Sequence, residues 1–146
     1  MKRKYGFTLV ELLIVLAVIA ALIATITPLA LNAVRKARAS QVAQNMRTLA
    51  SGFENAVLID SEAPTDINNI GRDIPSADYG IAYAASGGEW TVTVYTKAQA
   101  DLEAVKEILP AITDSASVTT DAASGTLGGL GTDNAEMFYN FMFRLY

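Results

Sequence analysis

Residues 2–11 read Lys2-Arg3-Lys4-Tyr5-Gly6-Phe7-Thr8-Leu9-Val10-Glu11, and this stretch, with the run it opens, decides the fold. Three cations lead to a glycine, and an apolar segment begins at Phe7. From Phe7 to Val34 the only polar residues are Thr8, Glu11, Thr25, Thr27 and Asn32, and Glu11 carries the only formal charge. The run exceeds the roughly 20 apolar residues of a membrane-spanning helix and the ~7–15 of an ordinary signal-peptide core. Small residues at Ala37-Arg38-Ala39 imitate a signal cleavage site, but they lie beyond Arg35 and Lys36, which argues against ordinary secretion. A carboxylate at the bilayer centre costs about 2.5–3.5 kcal/mol even on insertion scales, so Glu11 calls for a partner or a function. The alternative is a plain anchor in which a shallow Glu11 snorkels to the interface. Charge alone leaves topology open: Lys2, Arg3 and Lys4 favour a cytoplasmic amino terminus, while Arg35, Lys36 and Arg38 balance them at the far end.

The joint occurrence of Gly6, Phe7, Thr8, Leu9 and Glu11 behind three basic residues resembles the type IV pilin family, including the pseudopilins of type II secretion. The resemblance covers the first forty or so residues. It implies a leader of residues 1–6, removed by a prepilin peptidase that cuts after Gly6, and N-methylation of the new terminus at Phe7. A glycine before the cut suits an extended approach to a tight peptidase site, having no Cβ. The resemblance also implies a cytoplasmic leader, an inner-membrane precursor, and then a surface filament, or a periplasmic one for a pseudopilin. In that assembly the Phe7 ammonium of one subunit pairs with Glu11 of a neighbour. Such a pair in low dielectric fixes register, because breaking it strands a charge. The partners implied are copies of the same chain in a helical filament, the peptidase, an assembly platform with minor pilins, and the membrane before assembly.

Pro28 is the second feature of the segment. It has no N–H, so the Ala24 carbonyl loses its helical donor, and Thr25 and Thr27 beside it can offer hydroxyls to backbone groups. Its position is similar to that of a proline that pilins carry near the middle of their long helix, which implies loosening of the helix there on assembly. Ala20 and Ala24 stand where the family often has a glycine.

Composition narrows the function classes. The 146 residues suffice for one small domain plus a membrane segment. There is no cysteine and no histidine, so disulfides are excluded and the commonest general base and metal ligand are missing. Loss of Lys2, Arg3 and Lys4 takes Lys+Arg from 11 to 8 against 15 Asp+Glu, a formal charge of −7 instead of −4. An acidic chain of that kind is a poor general nucleic-acid binder. No cofactor is expected, and no nucleophile motif or phosphate-binding loop supports an enzyme. Asp114, Asp121, Asp133, Asn134 and Glu136 supply hard oxygens around a glycine-rich stretch and are weak calcium candidates, matching no fixed loop motif.

Beyond the anchor the spacing of Val42, Met46, Leu49, Phe53 and Val57 predicts continued helix with one apolar stripe. A helix from about Phe7 to Ile59 would be roughly 80 Å long. Residues 60–78 read as a connecting loop with Pro64, Gly71 and Pro75. Gly80 to Ala85 and Glu89 to Thr96 predict a hairpin around Ser86-Gly87-Gly88, with Trp90, Val92 and Val94 facing the long helix. Residues 96–109 predict a short helix capped by Thr96 and ended by Pro110, residues 117–120 a strand, and residues 122–132 a loop. The terminal run from Met137 alternates as a strand, although helix is open for so short a segment. The expected fold is α+β: a leader (1–6), an apolar membrane or filament-core helix (7–34), its amphipathic continuation (35–60), and a small antiparallel sheet head (61–146), pilin-like. Three functions fit: a pilin, a type II secretion pseudopilin, or a membrane-anchored binding module that never polymerises.

Overall fold

A computed structural model describes residues 6–119 and 123–145. One helix, α1, runs from Leu9 to Asp60 and contributes to two compact units, residues 1–35 and 36–146. By length and composition α1 is able to cross a membrane. In the first unit every described residue from Gly6 to Arg35 is exposed, including Leu12, Leu13, Ile14, Leu16 and Ile23. A helix apolar on all sides is one meant for burial elsewhere, in lipid or among other helices.

The second unit is an α+β fold. Five antiparallel strands follow α1: β1 (Tyr79–Ser86), β2 (Glu89–Thr96), β3 (Ile112–Thr113), β4 (Gly125–Leu127) and β5 (Met137–Arg144), in the order β3-β5-β2-β1-β4. The α1 stripe of Val42, Met46, Leu49, Phe53 and Val57 is buried in one core with Trp90, Val92 and Val94, as period and alternation predict. Phe53 meets Tyr83 at 5.3 Å and Trp90 at 6.1 Å between ring centroids, and Phe143 stacks on Trp90 at 6.1 Å. The β1–β2 turn is Gly87-Gly88 with φ of 59° and 83°, the left-handed pair that matches the strand twist. The last turn of α1 is ended by Ser61 in the left-handed region (φ 58°), its N–H donating to the Val57 carbonyl at 2.8 Å.

Three local readings are corrected. The short helix α2 covers only Leu102–Ile108, and its cap is Asp101, which accepts from the Glu103 and Ala104 amides; Thr96 instead ends β2 and its hydroxyl donates to the Asp78 carbonyl. Residues 117–119 form no strand, because the Ser117 amide donates to Asn140 Oδ1 and the Val118 amide to Thr93 Oγ1; residue 120 lies outside the described residues. Part of the expected loop at 122–132 is strand β4, pairing with β1 from Ile81 to Tyr83. Thr126 and Leu127 supply the β-branched and apolar character that three ladder positions need.

The second face of the sheet is also covered. Ala82, Tyr95 and Phe138 form a smaller core with Val118 and Leu130 from the loops. Tyr95 is fully buried, its hydroxyl donates to the Leu130 carbonyl at 2.7 Å, and burial pushes its pKa up to about 12. Asn140 of β5 holds this layer in place: its Oδ1 accepts from the Thr93 hydroxyl (2.7 Å) and the Ser117 amide (2.9 Å), and its Nδ2 donates to the Thr113 hydroxyl and the Ser115 carbonyl (both 2.9 Å). All four hydrogen-bonding positions of the amide are used.

Candidate functional site

The start of α1 is built as a reciprocal cap. The Thr8 carbonyl accepts from the Leu12 amide at 3.3 Å, which makes Thr8 the residue before the first helical position. Its hydroxyl accepts from the Glu11 amide at 3.2 Å, while the Thr8 amide and hydroxyl both donate to Glu11 Oε2 at 2.7 Å. This is the Ser/Thr-x-x-Glu box, in which side chains at both ends satisfy backbone donors that the first turn leaves open. In an apolar medium those donors have no water to turn to. Both bonds reach the same carboxylate oxygen, so Glu11 Oε1 has no partner among the described residues.

The reciprocal bonds add Thr8 to the candidate site, and their sequence signal is the spacing of Thr8-Leu9-Val10-Glu11. Gly6 and Phe7 precede the helix, and Phe7 is the most exposed large apolar side chain among the described residues, at 84%. No Cβ contact would be met at Gly6 within 4 Å. Gly6 and Phe7 are thus open chain outside regular structure, beside a capped helix end.

Seventeen residues on from Glu11, Pro28 sits inside α1. The Thr25 hydroxyl donates to the Leu22 carbonyl at 2.9 Å and the Thr27 hydroxyl to the Ile23 carbonyl at 2.8 Å. Neither serves Ala24, the carbonyl that Pro28 deprives of its donor. Three successive carbonyls therefore depart from plain helical bonding: two are shared with hydroxyls and one lacks its amide partner.

The calcium candidates are spread. Asp133 and Asn134 lie in a single 3-10 turn (Thr132–Asn134) and Glu136 enters β5. Asp121 lies outside the described residues. Among the described residues no three acidic side chains group as a metal site would need.

Residues 1–27 match the prokaryotic N-terminal methylation motif. This is the prepilin motif of type IV pilins and pseudopilins, and it spans the leader, Gly6, Phe7 and the capped turn with Glu11. The methylation motif supports a precursor of the kind prepilin peptidase processes, and the long apolar helix that begins within the motif fits an inner-membrane precursor. No curated protein and no solved structure matches the chain. The motif and the α+β fold point to a structural subunit rather than an enzyme.

Proposed function

We propose that this protein is a pilin: cut after Gly6, methylated on Phe7, and polymerised through α1 into a type IV pilus-like surface filament. The observation that carries the reading is the match of residues 1–27 to the methylation motif, together with the apolar helix, exposed on every side, that begins within it at Leu9. Cleavage turns the Phe7 amide into an ammonium, and Glu11 of a neighbouring subunit is its counter-charge. The bonding at Thr8 supports this. Thr8 holds Glu11 by Oε2 and leaves Oε1 to accept the ammonium, so the carboxylate can stay capped in its own helix while pairing across subunits. Pro28, with the hydroxyls of Thr25 and Thr27, marks the point where the packed helix loosens. The peptidase, an assembly platform and minor pilins are the partners of this route, with the inner membrane as the starting compartment.

Intact mass and amino-terminal sequencing of protein sheared from cells, beside protein left in membranes, test the proposal. A sheared species starting at methylated Phe7 is expected. A short filament kept in the periplasm would move the assignment to a secretion pseudopilin. A chain found only in membranes and starting at Met1 would overturn processing and polymerisation together.

A further inference from the structure

The second unit carries a large excess of acid. Of the 11 basic residues, Lys2, Arg3, Lys4 and Arg35 precede residue 36, leaving 7; of the 15 acidic ones only Glu11 does, leaving 14. Copies of such a unit repel one another when packed side by side, so contact between them needs an anchoring cation. Most of the seven cations are committed. Lys36 pairs with Glu107, Lys97 with Asp78, Lys106 with Glu103 and Arg144 with Glu89, while Arg47 donates to the Ile108 carbonyl at 2.5 Å. Arg38 and Arg72 remain without a partner among the described residues.

Arg38 stands at the rim of an open cleft of about 210 Å³, together with Gln41, Asn45 and Gln99; Asp78 lines it too, with its carboxylate paired to Lys97 at 3.8 Å, which leaves Arg38 as the unpaired charge there. The Asn45 amide is spent on the Tyr79 hydroxyl (3.2 Å), but Arg38, Gln41 and Gln99 have unspent donors. A guanidinium flanked by free amides is a receptor for a carboxylate, which it can hold by two parallel bonds. At the other end of this part of α1 the charges are reversed. Asp60 and Glu62 line a second open cleft, of about 520 Å³, and neither has a partner among the described residues. The 22 residues from Arg38 to Asp60 put the two clefts roughly 33 Å apart along the helix. One cation-rimmed and one carboxylate-lined cleft at opposite ends of one unit make a heterologous pair, and repetition of a heterologous contact that does not close builds an open filament.

We propose that the Arg38 cleft of one subunit receives the Asp60/Glu62 end of a second copy of this chain, forming a heterologous contact that repeats along the filament. The inference rests on the filament reading above and adds to it the surface by which the acidic units meet.

The absence of native cysteine gives a clean test. The full chain carrying Gln41→Cys and Thr65→Cys, which line the two clefts and leave Arg38, Asp60 and Glu62 in place, is produced with its assembly machinery, and sheared filaments are treated with oxidant or a short bis-maleimide. A ladder of covalent dimers, trimers and higher species is expected from the double variant and from neither single one. Filaments that yield only monomer overturn the contact. As a second measurement, Arg38→Glu is expected to lower filament yield about tenfold or more, since like charges meet. Adding Asp60→Lys and Glu62→Lys is expected to restore it to within about twofold of the unaltered chain. Reversal without effect, or without rescue, overturns the contact while leaving polymerisation standing. Absence of filaments from the unaltered chain overturns the polymerisation reading and, with it, this one.

Discussion

Removing the amide of Asn140 is the most informative single perturbation of the fold. In the Asn140→Ala variant four hydrogen bonds disappear at once, between 2.7 and 2.9 Å in length. They are not equivalent. Thr93 is fully buried, so its hydroxyl proton is stranded, a loss of about 1–3 kcal/mol. The Ser117 amide and the Ser115 carbonyl lie in an exposed loop and regain water, so together they contribute about 1 kcal/mol. The Thr113 hydroxyl keeps the Ser115 and Phe138 carbonyls as acceptors. The sum is about 2–4 kcal/mol, or roughly 8–16 °C in melting temperature for a unit of this size. Asn140→Asp separates geometry from donors: both acceptor bonds survive, but an anionic oxygen then faces the Ser115 carbonyl. It is expected to melt as low as the alanine variant at pH 7 and to recover part of the loss at pH 4, where a protonated acid donates again. Circular dichroism on the detergent-solubilised chain measures the melting, and hydrogen exchange at Ser117 and Val118 locates it. A melting temperature for Asn140→Ala within 2 °C of the unaltered chain, with unchanged exchange, would refute the assigned role.

Other expected outcomes concern single contacts. Tyr95, raised to about 12 from an ordinary 10.0 by burial, favours the folded state as the neutral phenol. That stability is complete below about pH 10 and is lost as pH rises toward 12. Melting followed from pH 8 to 12 should fall in that window, and Tyr95→Phe should flatten the fall while lowering stability at neutral pH by about 1 kcal/mol. Glu11→Gln keeps a residue suited to the reciprocal cap but removes the charge, so membrane insertion and helix content should persist while filament yield drops. Normal filaments from the glutamine variant would sink the ion-pair argument. Gly52→Ala should destabilise by about 1–3 kcal/mol, although alanine is the better helix former, because the new Cβ would lie 2.6 Å from the Ile70 carbonyl oxygen. A rise in melting temperature would show that the loop yields freely.

How far the sequence could be read follows from which signals were local. The apolar run and the stripe from Val42 to Val57 each repeat within one element, so α1 was visible end to end. The hairpin was announced by Gly87-Gly88 between alternating segments. Strand β5 was visible in its alternation, while helix stayed open until the ladder with β2 settled it. Strand β3 has two residues and β4 three; neither has a period of its own, and each exists because a longer neighbour offers an edge. The cap of α2 was misplaced because Thr96 and Asp101 are both good capping residues, and the β2 ladder claims the first. The methylation motif at residues 1–27 was legible because its letters are contiguous, while the roles of Gly6, Phe7 and Glu11 within it come from the resemblance and stay part of the proposal. The Thr8 bonds to Glu11 follow from the same four letters once the box is recognised. The Arg38 cleft was not legible, since Tyr79 and Gln99 reach it from segments about 40 and 60 positions away in the chain.

The place of β5 bears on the order in which a new subunit matures. It lies between β2 and β3, and its ladder joins Glu89 to Arg144 and Thr96 to Met137. The hairpin of β1 and β2 can close as soon as it leaves the ribosome, but β2 keeps one open edge until the last strand is delivered. Phe53 and Trp90 likewise wait for Phe143 to cover them. Maturation therefore ends at the carboxyl end of the sheet, in one late step with long sequence separation. A chain interrupted before Met137 would show a bare strand edge and a row of aromatic rings, the features that make unfinished chains prone to aggregate.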